Sequence, residues 1–231
     1  WLATLPSALN GFPRGSVPGE NALDTKAAPG LPRARITVRD TTASGYRGGL
    51  ISNMAAFNLK EHIDATVDRV TVFDSEIAFR LRGGGVNSTG AEVVVQNAVV
   101  YNTVTAFRYE DNIQNLRIWN ATVGAGVSRA FQAGSSPASV LDVRNTLLLA
   151  SSLPAQAAGA SNLAVPASAF VNASAHNYQL APGSPAIDRG VAIGNVSHDR
   201  QGTARPQGPA LGVGAVERLG RHSLRASRRE R

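Results

Sequence analysis

A five-residue motif of alternating apolar and polar residues recurs four times in the chain and constrains its fold more than any other feature. The copies begin at Ala56, Ala78, Ala106 and Ala130, each alanine is followed by phenylalanine, and the intervals are 22, 28 and 24 residues. Alternation is the period of a β-strand, and intervals of this length are typical of one unit of a solenoid. The motif therefore predicts stacked repeats that each contribute one equivalent strand.

Stacking the four copies would align their side chains in columns. The inward columns would hold Phe57, Phe79, Phe107 and Phe131, and Leu59, Leu81 and Tyr109. The outward columns would hold Asn58, Arg80, Arg108 and Gln132, and Lys60, Arg82 and Glu110. We expect the inward columns to form the core and the outward columns to form one exposed, charged wall.

A second motif places asparagine among aliphatic residues at Asn97, Asn120 and Asn145, with Arg69 in the equivalent position of an earlier copy. Asparagine tolerates the left-handed backbone conformation and bonds nearby backbone groups, so it suits a bend between two short strands. The two motifs alternate from about residue 36 to residue 150. This order predicts an all-β, parallel solenoid, and the lack of a helical apolar period disfavours a helical bundle.

The composition divides the chain into four segments. Residues 1–34 are rich in glycine and proline and carry no period, so we expect an irregular segment at the end of a longer chain. Residues 35–150 hold the solenoid coils. Residues 151–217 are expected to form a linker and a C-terminal cap, and residues 218–231 a basic, disordered tail.

The formal net charge of +7 is concentrated in that tail, which contains six of the 23 basic residues and one acidic residue, Glu230. An arginine-rich tail can bind phosphates, but no interleaved aromatic residues or folded basic face accompany it. A nucleic-acid partner is therefore the least favoured hypothesis. The chain has no cysteine, which excludes disulfides and thiolate metal sites. No apolar run approaches the length of a membrane-spanning helix.

The C-terminal third contains four short motifs in a fixed order: 178–190 (YQLAPGSPAIDRG), 199–202 (DRQG), 205–206 (RP) and 212–217 (GVGAVE). This series resembles the closing segment of bacterial right-handed parallel β-helix repeat proteins, of the pectate-lyase-like superfamily. The resemblance implies a right-handed parallel β-helix (solenoid) with an irregular C-terminal cap, in an extracellular or cell-surface protein. Gly212 departs from the pattern, since the family usually has aspartate at this position.

The residues of this segment also predict a structural cap on physical grounds. Pro182 and Pro185 would stop strand pairing, and Asp188 and Asp199 would accept hydrogen bonds from turn amides. We therefore expect the segment to close the solenoid rather than to carry chemistry.

The outward columns are the predicted functional site. Lys60 and Arg82 would share one column, and Arg80 and Arg108 the next, on strands about 4.8 Å apart. Two like charges at this distance repel by roughly 1 kcal/mol in water, and an anionic ligand, or Glu110 and Asp111 nearby, would relieve that repulsion. Guanidinium groups bind carboxylates and sulfates bidentately. A groove lined by such groups favours an acidic polysaccharide as the partner.

The cationic pair on adjacent coils also resembles the lysine and arginine of alginate and chondroitin B lyases. By that resemblance Lys60 would abstract the proton beside a uronate carboxylate, and Arg82 or Arg80 would act as the acid or stabilise the developing charge. The residues expected to bind substrate are Asn58, Arg108, Glu110 and Gln132. The surroundings of Lys60, Asn-Leu-Lys-Glu, depart from the Asn-Lys-Ser of those lyases. The family resemblance makes calcium a candidate cofactor, but the sequence shows no acidic cluster to hold it.

A non-enzymatic function stays open at this point. The charged columns would equally suit a solvated charge ladder on a surface, adhesion or structural module. Glycoside hydrolysis is disfavoured because it needs two carboxylates that face one substrate. Glu110 and Asp111 are neighbours on a predicted strand, so we expect them to face opposite sides.

Overall fold

The computed structural model describes residues 19–26, 30–48, 52–84, 90–111, 113–137, 140–159, 161–194 and 196–218. Within these ranges the chain forms strands and short 3₁₀ turns, at Ala155–Ala157, Ala167–Ala169 and Ala173–Ala175, but no α-helix. The strands are β1 (Asn21–Asp24), β2 (Ala34–Arg39), β3 (Thr42–Ser44), β4 (Ala55–Leu59), β5 (Ile63–Asp68), β6 (Thr71–Arg82), β7 (Glu92–Gln96), β8 (Val99–Glu110), β9 (Asn115–Trp119), β10 (Thr122–Val123), β11 (Arg129–Ala133), β12 (Leu141–Arg144), β13 (Leu147–Leu149), β14 (Leu163–Val165), β15 (Phe170–Asn172) and β16 (Asn177–Leu180).

Most of these strands belong to two parallel sheets. In the larger sheet the strand order is β1-β4-β6-β8-β10-β13-β14, with β3 paired to β6 and β11 paired to β8. In the smaller sheet the order is β2-β5-β7-β9-β12. Equivalent strands of successive repeats pair in parallel, whereas β15 and β16 form a separate antiparallel pair. The predicted all-β architecture with parallel sheets is confirmed, and it is compatible with a solenoid.

The phenylalanine column predicted from the repeated motif is present. The strand register aligns Phe57, Phe79, Phe107 and Phe131. Successive ring centroids are 5.3, 5.3 and 5.5 Å apart, with ring planes within 23° of parallel. All four side chains are buried in one core cluster with apolar residues from both parallel sheets. Burial of each ring contributes about 1.5–3 kcal/mol, so this column is a major part of the core.

The predicted bend is also confirmed. Arg69, Asn97, Asn120 and Asn145 adopt the left-handed backbone conformation, with φ between 48 and 53°. Asp40 is the equivalent residue of the preceding repeat and has a φ of 50°. Four bend residues donate their backbone N–H to a carbonyl oxygen one repeat later, over 3.0–3.2 Å: Asp40, Arg69, Asn97 and Asn120. The bend residues therefore stack in a column of their own.

A second left-handed bend lies five residues after the first and was missed in the sequence. It is formed by Gly45, Asp74 and Asn102, with φ values of 86, 49 and 47°. This bend divides the long strand β6 into a first part that pairs with β3 and a second part that pairs with β4. The constant spacing of five residues was an available signal, but the residue types at the bend differ and obscure it.

Four short strands lie in segments predicted to be irregular: β1, β14, and the antiparallel pair of β15 and β16. β1 pairs with β4 and places Leu23 in register with Phe57, which extends the phenylalanine column by one apolar residue. β14, in the predicted linker, pairs with β13. Strands of three or four residues are too short to show a period of two, which explains why the sequence did not reveal them.

The C-terminal cap packs against β8 and β13 in a second apolar cluster. The carboxylate of Asp199 accepts the N–H groups of Gln201 and Thr203, each at 2.8 Å. Asp188 accepts the N–H of Ala210 at 3.2 Å. Both predicted turn contacts are therefore confirmed. Residues 219–231, which hold most of the predicted basic tail, lie outside the described residues.

The structure also explains the glycine at position 212. A Cβ atom on Gly212 would lie 2.5 Å from Oε2 of Glu217, so an aspartate here would displace that carboxylate. Glu217 forms a buried ion pair with Arg205, at 2.8 Å. Arg205 also donates to the side chain of Asn97 at 3.4 Å, which joins the cap to the first bend.

Candidate functional site

Strands β4, β6, β8 and β11 bring most of the predicted site residues together. The register places four of them in one column: Asn58, Arg80, Arg108 and Gln132. Arg82 is paired in the same way with Glu110. We call the three arginines at positions 80, 82 and 108 the arginine face. Their adjacency was predicted correctly, because it follows from register alone.

Glu110 is the centre of the arginine face. Its Oε1 accepts a hydrogen bond from Nε of Arg80 at 2.7 Å and lies 3.4 Å from Nε of Arg82. Its Oε2 accepts from Nε of Arg108 at 2.8 Å. The Glu110 side chain is only 6% exposed, and a Cβ on Gly134 would lie 2.7 Å from Oε2. One buried carboxylate thus holds three guanidinium groups, and a glycine leaves the space that it needs.

The expectation that Glu110 and Asp111 face opposite sides is wrong. Arg82 Nε donates to Oδ2 of Asp111 at 2.7 Å and also lies close to Glu110. Asp111 is the first residue after β8 and has a φ of 59°, so it no longer follows the alternation of the strand. The turn directs its carboxylate back to the same guanidinium group that Glu110 contacts.

Asn53 is a site residue that the sequence did not reveal. Its Oδ1 accepts a hydrogen bond from Nη1 of Arg108. Asn53 is held in place through its backbone N–H, which donates to Oε1 of Glu76 at 3.1 Å. It precedes the β4 motif and has a left-handed φ of 62°, so neither strand alternation nor the bend spacing marks it.

Lys60 contacts other residues than those that the three arginines contact. Its Nζ is 2.9 Å from Oδ1 of Asp24, and its side chain is 12% exposed. The same Oδ1 accepts from Nδ2 of Asn58 at 3.1 Å, and the Lys60 N–H donates to Oγ1 of Thr25 at 2.8 Å. The strand register pairs Arg82 with Glu110 and ends at Leu59, one residue before Lys60. The predicted shared column is therefore confirmed for Arg82 and Glu110, and it stays a prediction for Lys60.

The expectation of one exposed, charged wall needs correction. Arg80 and Arg82 are only 18% and 31% exposed, because their side chains extend toward acidic partners instead of toward solvent. Asn58 is buried, and its Oδ1 has no hydrogen-bond partner among the described residues. Gln132 is half-buried and accepts from Thr105 Oγ1 at 3.2 Å. The arginine face is an ordered ion-pair network rather than a solvated ladder.

The described residues show no group of three or more histidine, cysteine, aspartate or glutamate side chains that could hold a metal ion. The carboxylates at the arginine face are engaged by guanidinium groups, so they do not fit the calcium site that the family resemblance implied. Among the residues that the structure describes, no helix has the length and apolar character needed to cross a membrane.

Comparison with known protein families, with curated proteins and with solved structures finds no match to this chain. The resemblance of its C-terminal motifs to the pectate-lyase-like superfamily therefore rests on those motifs and on the parallel sheets. The fold itself rests on the observed strand pairing.

Proposed function

We propose that this protein is an extracellular or cell-surface, right-handed parallel β-helix that binds acidic polysaccharide at the arginine face. The parallel pairing of equivalent strands supports the β-helix, because stacked coils produce this pairing. The C-terminal motifs support the same superfamily and an extracellular location.

The observation that carries the proposal is the sharing of one buried carboxylate by three guanidinium groups. Arg80 and Arg82 bond their acidic partners through Nε, and within the described residues no hydrogen bond engages their Nη groups. Three guanidinium groups face two carboxylates, Glu110 and Asp111, so one positive charge is in excess. Fixed guanidinium groups lose little side-chain entropy on binding, and their free Nη pairs match a carboxylate or sulfate.

The arrangement of the arginines along the stack suits a polymer. Arg80 and Arg108 lie on adjacent paired strands, which are about 4.8 Å apart. An extended chain that carries repeated carboxylates could therefore contact guanidinium groups on successive strands at once. Simultaneous contacts raise the affinity for a polymer above that for its isolated sugar.

Binding is favoured over cleavage by the environment of Lys60. A general base must offer a lone pair to the substrate proton, whereas the Lys60 ammonium group is bound to Asp24. Cleavage by β-elimination would require a ligand to release Lys60 from that ion pair. Binding without cleavage also suits a surface or adhesion module.

The test is calorimetric titration of the protein with polygalacturonate, with neutral dextran as the reference polymer. We expect polygalacturonate alone to bind, more weakly as salt increases because exposed charges are screened. Arg82→Gln should weaken binding about fivefold or more, as the loss of one charged hydrogen bond implies. The matched control is Arg144→Gln, which removes an exposed arginine from the smaller sheet and should leave binding unchanged.

Absence of polygalacturonate binding, or equal losses in the two variants, would contradict the proposal. The same incubations can be monitored for the ultraviolet absorbance of unsaturated uronides. Their appearance, and its loss in Lys60→Ala, would extend the function from binding to β-elimination.

A further inference from the structure

A cleft of about 400 Å³ lies between the flank of the parallel sheet and the C-terminal cap. The sheet contributes Thr71 and Tyr101, and the cap contributes His176, Tyr178 and Arg200. A cleft of this volume is in the range of small-molecule binding sites. It shares strands β6 and β8 with the arginine face, but none of the three arginines lines it.

Among the described residues, Arg200 is a cation in this cleft that forms no ion pair, although the charges of Asp40, Asp199 and Asp68 act on it from a greater distance. Its Nε donates to Oγ1 of Thr71 at 3.0 Å, and its backbone N–H donates to the carbonyl oxygen of Ala215 at 2.7 Å. In the described part of the chain, its side chain has no other hydrogen bond and no ion pair. Arg200 is partly buried, and this burial lowers the pKa of its guanidinium group, although Asp40, Asp199 and Asp68 oppose the shift. A bound anion would offset this desolvation.

An aromatic stack lies beside the cleft, and two of its members, Tyr101 and His176, line the cleft together with Arg200. The rings of Phe73 and Tyr101 are stacked, with centroids 4.9 Å apart, and His176 stacks on Tyr101 at 4.1 Å. The stack joins two strands of the parallel sheet to the cap. Because Tyr101 lies between Phe73 and His176, both faces of its ring are covered, and the cleft is lined by the edge of Tyr101, by His176 and by Val99 and Val216. These groups offer an apolar wall for a ring-shaped ligand.

The hydrogen bonds around His176 indicate which of its nitrogens is free. The Tyr178 hydroxyl group accepts the N–H of Ala125 at 2.8 Å, so its own hydrogen can be donated to Nδ1 of His176, 3.3 Å away. The other ring nitrogen, Nε2, has no partner among the described residues and is available to a ligand in the cleft.

We propose that this cleft binds a small carboxylate on a ring-shaped body, with the carboxylate on Arg200 and the ring against His176 and the edge of Tyr101. The carboxylate chemistry is common to sugar acids and aromatic acids. The two sources are distinguished by titration with galacturonate and with 4-hydroxybenzoate. Galactose and 4-hydroxybenzamide are the corresponding ligands without a carboxylate.

The experiment measures binding of these four compounds to the full chain by calorimetry. We expect at least one acid to bind and both neutral compounds to bind at least tenfold more weakly. Arg200→Gln should reduce the affinity for that acid about tenfold, because it removes the charge and keeps an amide donor. Arg189→Gln, at an exposed arginine of the same cap, should leave the affinity unchanged.

A second measurement does not depend on the folding of a variant. Imidazole nitrogen chemical shifts of the wild-type protein should change for His176 on addition of the acid, and less for His198, which is exposed in the cap. The proposal is wrong if neither acid binds, if neutral compounds bind equally well, or if His176 does not respond. Since Arg200 is not part of the arginine face, Arg200→Gln should bind polygalacturonate normally, which separates failure here from failure of polysaccharide binding.

Discussion

The phenylalanine column and the arginine face are built on the same strands by the same register, yet they differ in what determines them. The rings of Phe79 and Phe107 stack because their strands pair. Arg80 and Arg108 are neighbours for the same reason, but both are oriented by Glu110. Register therefore decides which side chains are adjacent, whereas ion-pair partners decide their direction and exposure.

The largest expected effect is on the phenylalanine column. Phe79→Ala should lower the free energy of unfolding by about 3–5 kcal/mol, because it leaves a cavity between two stacked rings. Phe131→Ala should have a smaller effect, since this ring ends the column and stacks on one neighbour only. Urea unfolding of both variants measures the difference. Equal losses would show that stacking along the column is not what stabilises it.

Glu110→Gln tests the arginine face as an ion-pair network. It should lower the free energy of unfolding by about 2 kcal/mol, less than for a fully buried pair because the arginines retain some exposure to solvent. The matched variant is Asp142→Asn, whose partner Arg144 is half exposed. Its loss should be below about 1 kcal/mol. Similar losses for the two variants would contradict the central role of Glu110.

A smaller effect is expected at the bend column, where the backbone matters more than the side chain. Asn120 has a φ of 48°, and its Oδ1 has no partner among the described residues. Asn120→Ala should be less stable than Asn120→Gly by about 1 kcal/mol, because only glycine enters the left-handed region without strain. Thermal unfolding of the two variants checks this order, and the reverse order would contradict it.

The smallest expected effect concerns two carboxylates that are each bonded to arginine. Burial raises the pKa of Glu217 above its usual value of 4.5, although Arg205 opposes the shift. The folded state thus holds this proton more tightly than the unfolded state, and the contribution of Glu217 to stability decreases as pH rises through the folded pKa. A hydrogen bond from Arg69 lowers the pKa of Asp40 below 3.8, so its contribution is present above that pH and is lost on acidification.

The two carboxylates should therefore show opposite pH trends. As pH increases from about 4 to 7, the free energy of unfolding of the wild type should decrease relative to that of Glu217→Gln. As pH increases from about 2 to 5, the free energy of unfolding of the wild type should increase relative to that of Asp40→Asn. Trends of the same sign would contradict the assignment of burial as the dominant cause at Glu217.

The sequence predicted those features that repeat with one residue type. The phenylalanines and the asparagine bend were found because each recurs at strand or repeat spacing. The second bend was missed since Gly45, Asp74 and Asn102 share only a left-handed backbone. Asp24 was missed because its short strand lies among glycine and proline residues, and it is this residue that binds Lys60.

The direction of the arginine side chains could not be predicted from spacing at all. Each guanidinium group bonds to a carboxylate that the fold brings near it. Asp111 reaches Arg82 only because β8 ends in a left-handed turn. The cleft at Arg200 depends in the same way on how the cap packs against the sheet. Such contacts join residues that are far apart in sequence, so no local pattern marks them.

The register of the repeated motif is the claim on which both columns depend, and disulfide trapping tests it most directly. The native chain has no cysteine, so introduced pairs can be compared without interference. Arg108→Cys with Gln132→Cys occupies paired positions of β8 and β11, whereas Arg108→Cys with Ala130→Cys is displaced by two residues on the same face. We predict rapid disulfide formation in the first pair and little in the second, measured by mass spectrometry after mild oxidation. Equal formation, or preference for the displaced pair, would contradict the stacked register.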